Sequence, residues 1–140
     1  TLKKGAFPPG LAGNSATGRL TGTPSSTKAK GFTVQITDQL GASVTGTFTI
    51  KALATVTIST KSLKAGTHGK NYKATLKAKG GKTPYGWSLV SGSLPAGLTL
   101  DPSTGAITGV PTQLGTFNPI FKVNDSLGGQ AQKSFSLTIK

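Results

Sequence analysis

Leu94-Pro95-Ala96-Gly97-Leu98-Thr99-Leu100-Asp101-Pro102-Ser103-Thr104-Gly105-Ala106-Ile107-Thr108-Gly109-Val110-Pro111 is the stretch whose reading decides the fold. Glycines and prolines punctuate short apolar pairs, the pattern of brief strands joined by tight turns. The same punctuation occurs earlier, in Phe7-Pro8-Pro9-Gly10-Leu11 and Thr17-Gly18-Arg19-Leu20-Thr21-Gly22-Thr23-Pro24. A constant offset of 87 residues carries Pro8 onto Pro95, Gly10 onto Gly97, Gly18 onto Gly105, Gly22 onto Gly109 and Pro24 onto Pro111. The chain is therefore a tandem repeat.

Working outward, the segments between these turns alternate with the period of a half-buried strand. Phe32, Val34 and Ile36 alternate with polar residues, Asp38-Gln39-Leu40-Gly41 is turn chemistry, and Val44, Gly46, Phe48 and Ile50 alternate again, which predicts a hairpin. The parity continues through Ala52, Ala54, Val56 and Ile58 without a Pro, Gly or Ser cluster, so one strand is expected to run straight from the first unit into the second. Residues 61–71 form a Gly/Lys loop with the single histidine, His68. Next, Tyr72, Ala74, Leu76 and Ala78 are expected inward on one strand, with Lys73, Thr75, Lys77 and Lys79 outward. Tyr85–Val90 is the most apolar strand, with Trp87 and Leu89 pointing to the core, and Leu98, Leu100 and Ile107 are further anchors. Phe117, Pro119, Phe121 and Val123 share one face, with Pro119 confined to an edge or bulge. A second hairpin loop at Asn124–Gly129 leads to Ala131, Phe135, Leu137 and Ile139, with Lys133 out of pattern.

Composition agrees. The 140 residues are 34% hydrophobic and include 20 glycines, with no helix-period stripe, so the class is all-β and each core is small. Sixteen Lys and Arg face only three acids, Asp38, Asp101 and Asp125, for a net charge of +13 that attracts polyanions. The bland counterpart is a solubilising surface. There is no Cys, hence no disulfide or thiolate metal site, and no apolar run approaches the ~18 residues of a membrane span.

Tyr85-Gly86-Trp87-Ser88-Leu89, Gly92-Ser93-Leu94-Pro95-Ala96-Gly97-Leu98-Thr99-Leu100, Ser103-Thr104-Gly105, Gly109-Val110-Pro111, Gly115-Thr116-Phe117 and Val123-Asn124-Asp125, in that order, resemble the immunoglobulin-like repeat of bacterial surface proteins, which is related to cadherin-like sandwiches. The resemblance implies tandem immunoglobulin-like β-sandwiches: residues 53–140 as a complete unit, and residues 1–52 as a unit represented only by its C-terminal half. It also implies an extracellular or cell-surface setting and a structural, non-enzymatic role, because such modules serve as spacers, adhesin stalks and enzyme appendages. Cadherin-like relatives hold calcium between units with clustered carboxylates; three isolated aspartates depart from that pattern, and no cofactor is expected.

With this period Thr1 aligns with Ser88, so equivalents of residues 53–87 are absent from the first unit. A half-sandwich is expected to expose the apolar face of Phe32, Val34, Ile36, Phe48 and Ile50. Either the chain is a fragment of a longer repeat protein, or a neighbouring subunit or repeat completes the unit by strand addition, the second route leading to head-to-tail homopolymers.

Chemistry beyond this is sparse. One His, no Cys, no Glu and three separated Asp supply no converging acid, base or nucleophile, so no catalytic or metal residues are assigned. Asn124-Asp125-Ser126 is a formal glycosylation sequon, and a Lys–Asn crosslink would need a buried acid beside the pair. Lys73, Lys77, Lys79 and Lys82 form the candidate patch for anionic polysaccharide or cell envelope. Specific nucleic-acid binding is disfavoured, since no aromatic residue interleaves with these lysines on their face.

Overall fold

The computed structural model describes residues 1–140, all of them in strands, turns or irregular backbone. Two compact units are present, Thr1–Leu53 (unit 1) and Ala54–Lys140 (unit 2).

Unit 2 contains β6 (Thr57–Ile58), β7 (Tyr72–Thr75), β8 (Ala78–Lys79), β9 (Gly86–Ser91), β10 (Leu98–Leu100), β11 (Ala106–Gly109), β12 (Gly115–Phe117), β13 (Ile120–Asn124), β14 (Gln130–Ser134) and β15 (Leu137–Ile139). They pair antiparallel in four sheets ordered β10-β11-β7, β14-β13-β9, β12-β15 and β6-β8. One face of each supplies the core, in which Ile107, Phe121, Val123 and Leu137 are wholly buried and Trp87, Leu76 and Val56 nearly so. Each such side chain contributes roughly 1.5–3 kcal/mol by leaving water, enough in sum for a small sandwich to hold its shape.

Unit 1 contains β1 (Leu2–Gly5), β2 (Leu11–Gly13), β3 (Leu20–Gly22), β4 (Lys30–Thr37) and β5 (Ser43–Ile50), arranged as a β2-β3 hairpin and a β1-β4-β5 sheet. Its registers repeat those of unit 2 at the sequence offset. Leu11 lies opposite Gly22 as Leu98 lies opposite Gly109. Leu2 lies opposite Val34 as Leu89 lies opposite Phe121, and Ile36 opposite Val44 as Val123 opposite Ala131. Even the irregularity between β1 and β4 recurs between β9 and β13.

Four expectations are corrected. No strand bridges the units: β5 ends at Ile50 and β6 begins at Thr57. The Ala54 carbonyl instead accepts the Gly81 amide, so this backbone is satisfied by a loop rather than by a ladder. The lysine strand is also two strands. Leu76 donates to Gly105 and the Lys77 carbonyl accepts from Ser59, so the chain leaves the β7 sheet and joins the β6-β8 pair. Inward–outward alternation nevertheless survives across the break. Leu89 shares Trp87's parity but is 37% exposed, because β9 is the edge of its sheet and is covered on one flank only. In unit 1, Phe32 is buried rather than exposed: the Phe7 ring meets it edge-on at 4.9 Å, and Phe48 stacks at 6.0 Å.

Pro119 falls between β12 and β13, fully buried, and its carbonyl accepts from Phe135. Where unit 2 has this proline, unit 1 has Phe32, and β4 runs unbroken through the position. A donor N–H replaces a ring that has none, so the ladder continues.

Candidate functional site

The sheet of unit 1 has two chemically opposite faces. Thr33, Gln35, Thr37, Ser43, Thr45, Thr47 and Thr49 alternate onto one of them. There the Thr33 and Thr47 hydroxyls lie 3.1 Å apart and the Gln35 amide donates to Ser43 at 2.8 Å. The other face carries Phe32, Val34, Ile36, Val44, Phe48 and Ile50. Of these Phe32 is buried, Val34 and Ile50 are half-buried, and Ile36, Val44 and Phe48 are 72%, 66% and 53% exposed.

Unit 2 supplies the internal comparison. The register partners of Ile36 and Phe48 in the repeat are Val123, which is 0% exposed, and Phe135, at 6%. In unit 2 those residues share one buried cluster with Val56, Tyr72, Leu76 and Trp87, all of which precede Ser88 and have no equivalents in Thr1–Leu53. The apolar face of unit 1 thus matches a core face of unit 2 but lacks these cluster neighbours. Isolated exposed hydrophobics are ordinary on a protein surface; Ile36, Val44 and Phe48 instead form a contiguous row on one sheet face.

Of the candidate lysines, Lys73 projects outward from β7, Lys79 from β8, Lys77 from the short segment between them, and Lys82 from the following loop; all four are exposed. The structure spreads them over two sheets and a loop instead of one strand face. Each of the three carboxylates is engaged by backbone amides of its own turn. Asp38 accepts from Leu40 and Ala42, Asp101 from Ser103 and Thr104, and Asp125 from Leu127, Gly129 and Lys82.

These turn bonds set the acidities. The Ser103 hydroxyl first, then the Ser103 and Thr104 amides, hold the Asp101 carboxyl down at about 2. For Asp125 desolvation pushes upward, but the amides of Gly129, Leu127 and Lys82 together outweigh it and keep the carboxyl below its ordinary value. Burial raises Tyr72, whose hydroxyl donates to the Lys64 carbonyl.

Sequence reasoning missed two devices. Asp125 and Ser126 clamp the 80–84 loop: the Lys82 amide donates to Asp125 Oδ2, and the Ser126 hydroxyl lies 3.1 Å from both the Lys82 and Thr83 carbonyls. The Gly80-Gly81-Lys82 run, in which Gly80 and Gly81 have positive φ, was its only sequence signal. The second is Lys133, out of pattern because its stem runs inward while its ammonium donates to the Thr60 carbonyl and sits 5.2 Å from the Phe135 ring centroid. His68 is exposed in its loop, and no group of three or more His, Asp or Glu is placed to hold a metal ion. No helix is long and apolar enough to cross a membrane.

Comparison with known proteins fits this geometry. Over 138 residues, 95% of the chain, it is 30% identical to the "Serine-rich adhesin for platelets" of Staphylococcus aureus strain MRSA252, of which it spans 10%. Among solved structures, the protocadherin GammaB4 extracellular domain superposes on 99% of the chain with a TM-score of 0.58 at 13% identity, the match covering 26% of that chain. A "putative alpha-galactosidase" from Bacteroides fragilis matches 61% of the chain at 27% identity and a TM-score of 0.55, over 18% of its own length. The family described as "Putative Ig domain" matches twice, at residues 1–52 and 54–140. With the family's model matching both units and their turns and strand registers repeating at one offset, this chain belongs to that immunoglobulin-like family.

Proposed function

We propose that this chain is a non-enzymatic structural segment of an extracellular surface protein, a stalk or filament in which the open face of unit 1 is closed by complementing β-strands. One observation carries the reading: Ile36 and Phe48 are 72% and 53% exposed at the positions where Val123 and Phe135 are 0% and 6% exposed. A sheet whose apolar side matches a finished core, residue for residue, is built to be covered. The adhesin relative and the extracellular protocadherin neighbour support a surface setting. The match to the "putative alpha-galactosidase" covers 18% of that chain, which agrees with an appended module rather than a catalytic one.

Hydrogen exchange together with sedimentation velocity on the purified chain tests this. Strands β4 and β5 are expected to exchange far faster than β13 and β14 in the dilute chain, and to slow when the face becomes covered. A stable monomer whose unit 1 amides are as protected as those of unit 2 would sink the proposal, because unit 1 would then need no complement.

A second reading rests on charge. With sixteen basic residues and all three carboxylates engaged by turn amides, the exposed Lys73, Lys77, Lys79 and Lys82 attract anionic polysaccharide or cell envelope. This is the role of an adhesin segment or enzyme appendage, and it is compatible with the first. Retention on a sulfated or phosphate-bearing polysaccharide that is unchanged from low to high salt would refute it.

A further inference from the structure

We infer that the outward lysines of residues 73–79 form a track for one class of polyanion, an acyclic polyol phosphodiester laid along the chain run from β7 to β8. This rests on the charge reading above and specifies its ligand.

The row keeps one parity although the sheet changes beneath it. Lys73, Thr75, Lys77 and Lys79 are exposed, and they alternate with Ala74, Leu76 and Ala78, which are buried or half-buried. The backbone is fixed at the root of each lysine. Lys73 lies in register opposite Thr108, and Lys79 opposite Thr57. At the break between the strands, the Lys77 amide donates to Thr60 Oγ1 at 2.7 Å and the Lys77 carbonyl accepts from the Ser59 amide at 2.7 Å. The Thr60 carbonyl also accepts from the Lys133 ammonium, so one threonine joins the root of Lys77 to a further positive charge. The flanks of the row are hydroxyls. Thr57, Ser59 and Thr108 are exposed beside it, and neither the row nor these neighbours include an acid or an aromatic residue.

Spacing selects the polymer. Side chains on one face of a strand recur every ~6.6 Å, which sets Lys77 and Lys79 at ~13 and ~20 Å from Lys73, with Thr75 at the station between Lys73 and Lys77. Two residues of peptide chain comprise six backbone bonds, and a glycerol phosphate chain also has six from one phosphorus to the next, so its extended repeat is about the same ~7 Å. Successive phosphates along the row therefore meet ammonium, hydroxyl, ammonium and ammonium, and their oxygens accept from each. The polyol hydroxyls lie between them, within reach of the flanking Thr and Ser. A pyranose polymer sets its charges by rigid rings and cannot stretch to follow the strand. Single-stranded nucleic acid shares the six-bond repeat, but its bases gain affinity by stacking on aromatic side chains. Tyr72, next to Lys73, is buried with its hydroxyl on the Lys64 carbonyl and offers no such platform.

The test is equilibrium binding of the full chain to poly(glycerol phosphate) at several salt concentrations. Three ion pairs predict that log K falls against log salt with a slope of about −2. The decisive variant moves charge without removing it. Lys77→Gln and Lys79→Gln combined with Gln39→Lys and Gln113→Lys, all at exposed positions, keep the net charge at +13. This variant should bind about 25-fold more weakly, roughly a fivefold factor for each lysine taken from the row. If it binds as tightly as the parent chain, net charge alone attracts the polymer; the track is overturned and the charge reading stands. A polygalacturonate that binds as tightly, charge for charge, overturns the spacing argument in the same way. Tighter binding of an oligothymidylate overturns the polyol assignment in favour of nucleic acid. If none of the three polymers binds in a salt-sensitive manner, the track and the charge reading fall together.

Discussion

Gly105 and Gly18 hold the same backbone conformation in equivalent turns, so a single substitution at each separates conformational strain from packing. Gly18→Ala meets only the left-handed penalty of about 1–2 kcal/mol, since nothing lies within 4 Å of the new Cβ. Gly105→Ala adds a methyl 2.9 Å from Trp87 Nε1 and should cost about 1–3 kcal/mol more. Urea unfolding of unit 2, followed by Trp87 fluorescence, reads the larger loss; equal effects on local exchange at the two turns would contradict it. Asp101 offers a pH test. Its carboxyl is held at about 2 in the folded chain against an ordinary 3.8, so the turn's contribution is complete above that upper value and is lost as pH falls towards the lower one. Asn14 occupies the equivalent place in unit 1 and caps its turn with the same amide bonds, so Asp101→Asn should keep the turn formed and flatten the acid limb of the unit 2 unfolding curve.

Among the elements, the strand pairs differ in how much they lean on the rest of their unit. Strands β4 and β5 form the longest ladder, from Lys30↔Ile50 to Thr37↔Ser43, and their buried centre is Phe32 between Phe7 and Phe48. Phe32→Ala should remove about 3–5 kcal/mol of packing, which is enough to unfold a half-covered sheet; loss of exchange protection across β4 and β5 with β13 and β14 unchanged is the expected pattern. Ile107→Ala, at a fully buried position on β11, should cost about 2–5 kcal/mol in unit 2 and leave β4 untouched. The β4-β5 hairpin was legible in the sequence because alternation and the Asp38–Gly41 turn are both local. The break between β7 and β8 was not: it depends on Leu76 bonding to Gly105 and Lys77 to Ser59, partners remote in the chain. Lys133 is similar, since only folding brings the Thr60 carbonyl and the Phe135 ring to its ammonium.

For the molecule as a whole, charge acts at a distance where packing cannot. Sixteen basic residues against three acids make any association with polyanions fall steeply with ionic strength. Replacing Lys73, Lys77, Lys79 and Lys82 together by Gln should shift elution from a sulfated-polysaccharide column to clearly lower salt, while single replacements move it little; four equal single-site effects as large as the combined one would argue for one specific site. The period of 87 residues, the turn types and the alternation came from sequence alone, because backbone conformation at Gly10, Gly18, Gly97 and Gly105 and the side of a strand that faces inward are dictated within a few residues. Which apolar faces end up covered was a matter for tertiary structure. Burial requires neighbours drawn from distant chain, and unit 2 has them for Val123 and Phe135, while unit 1 leaves Ile36 and Phe48 exposed at the equivalent positions.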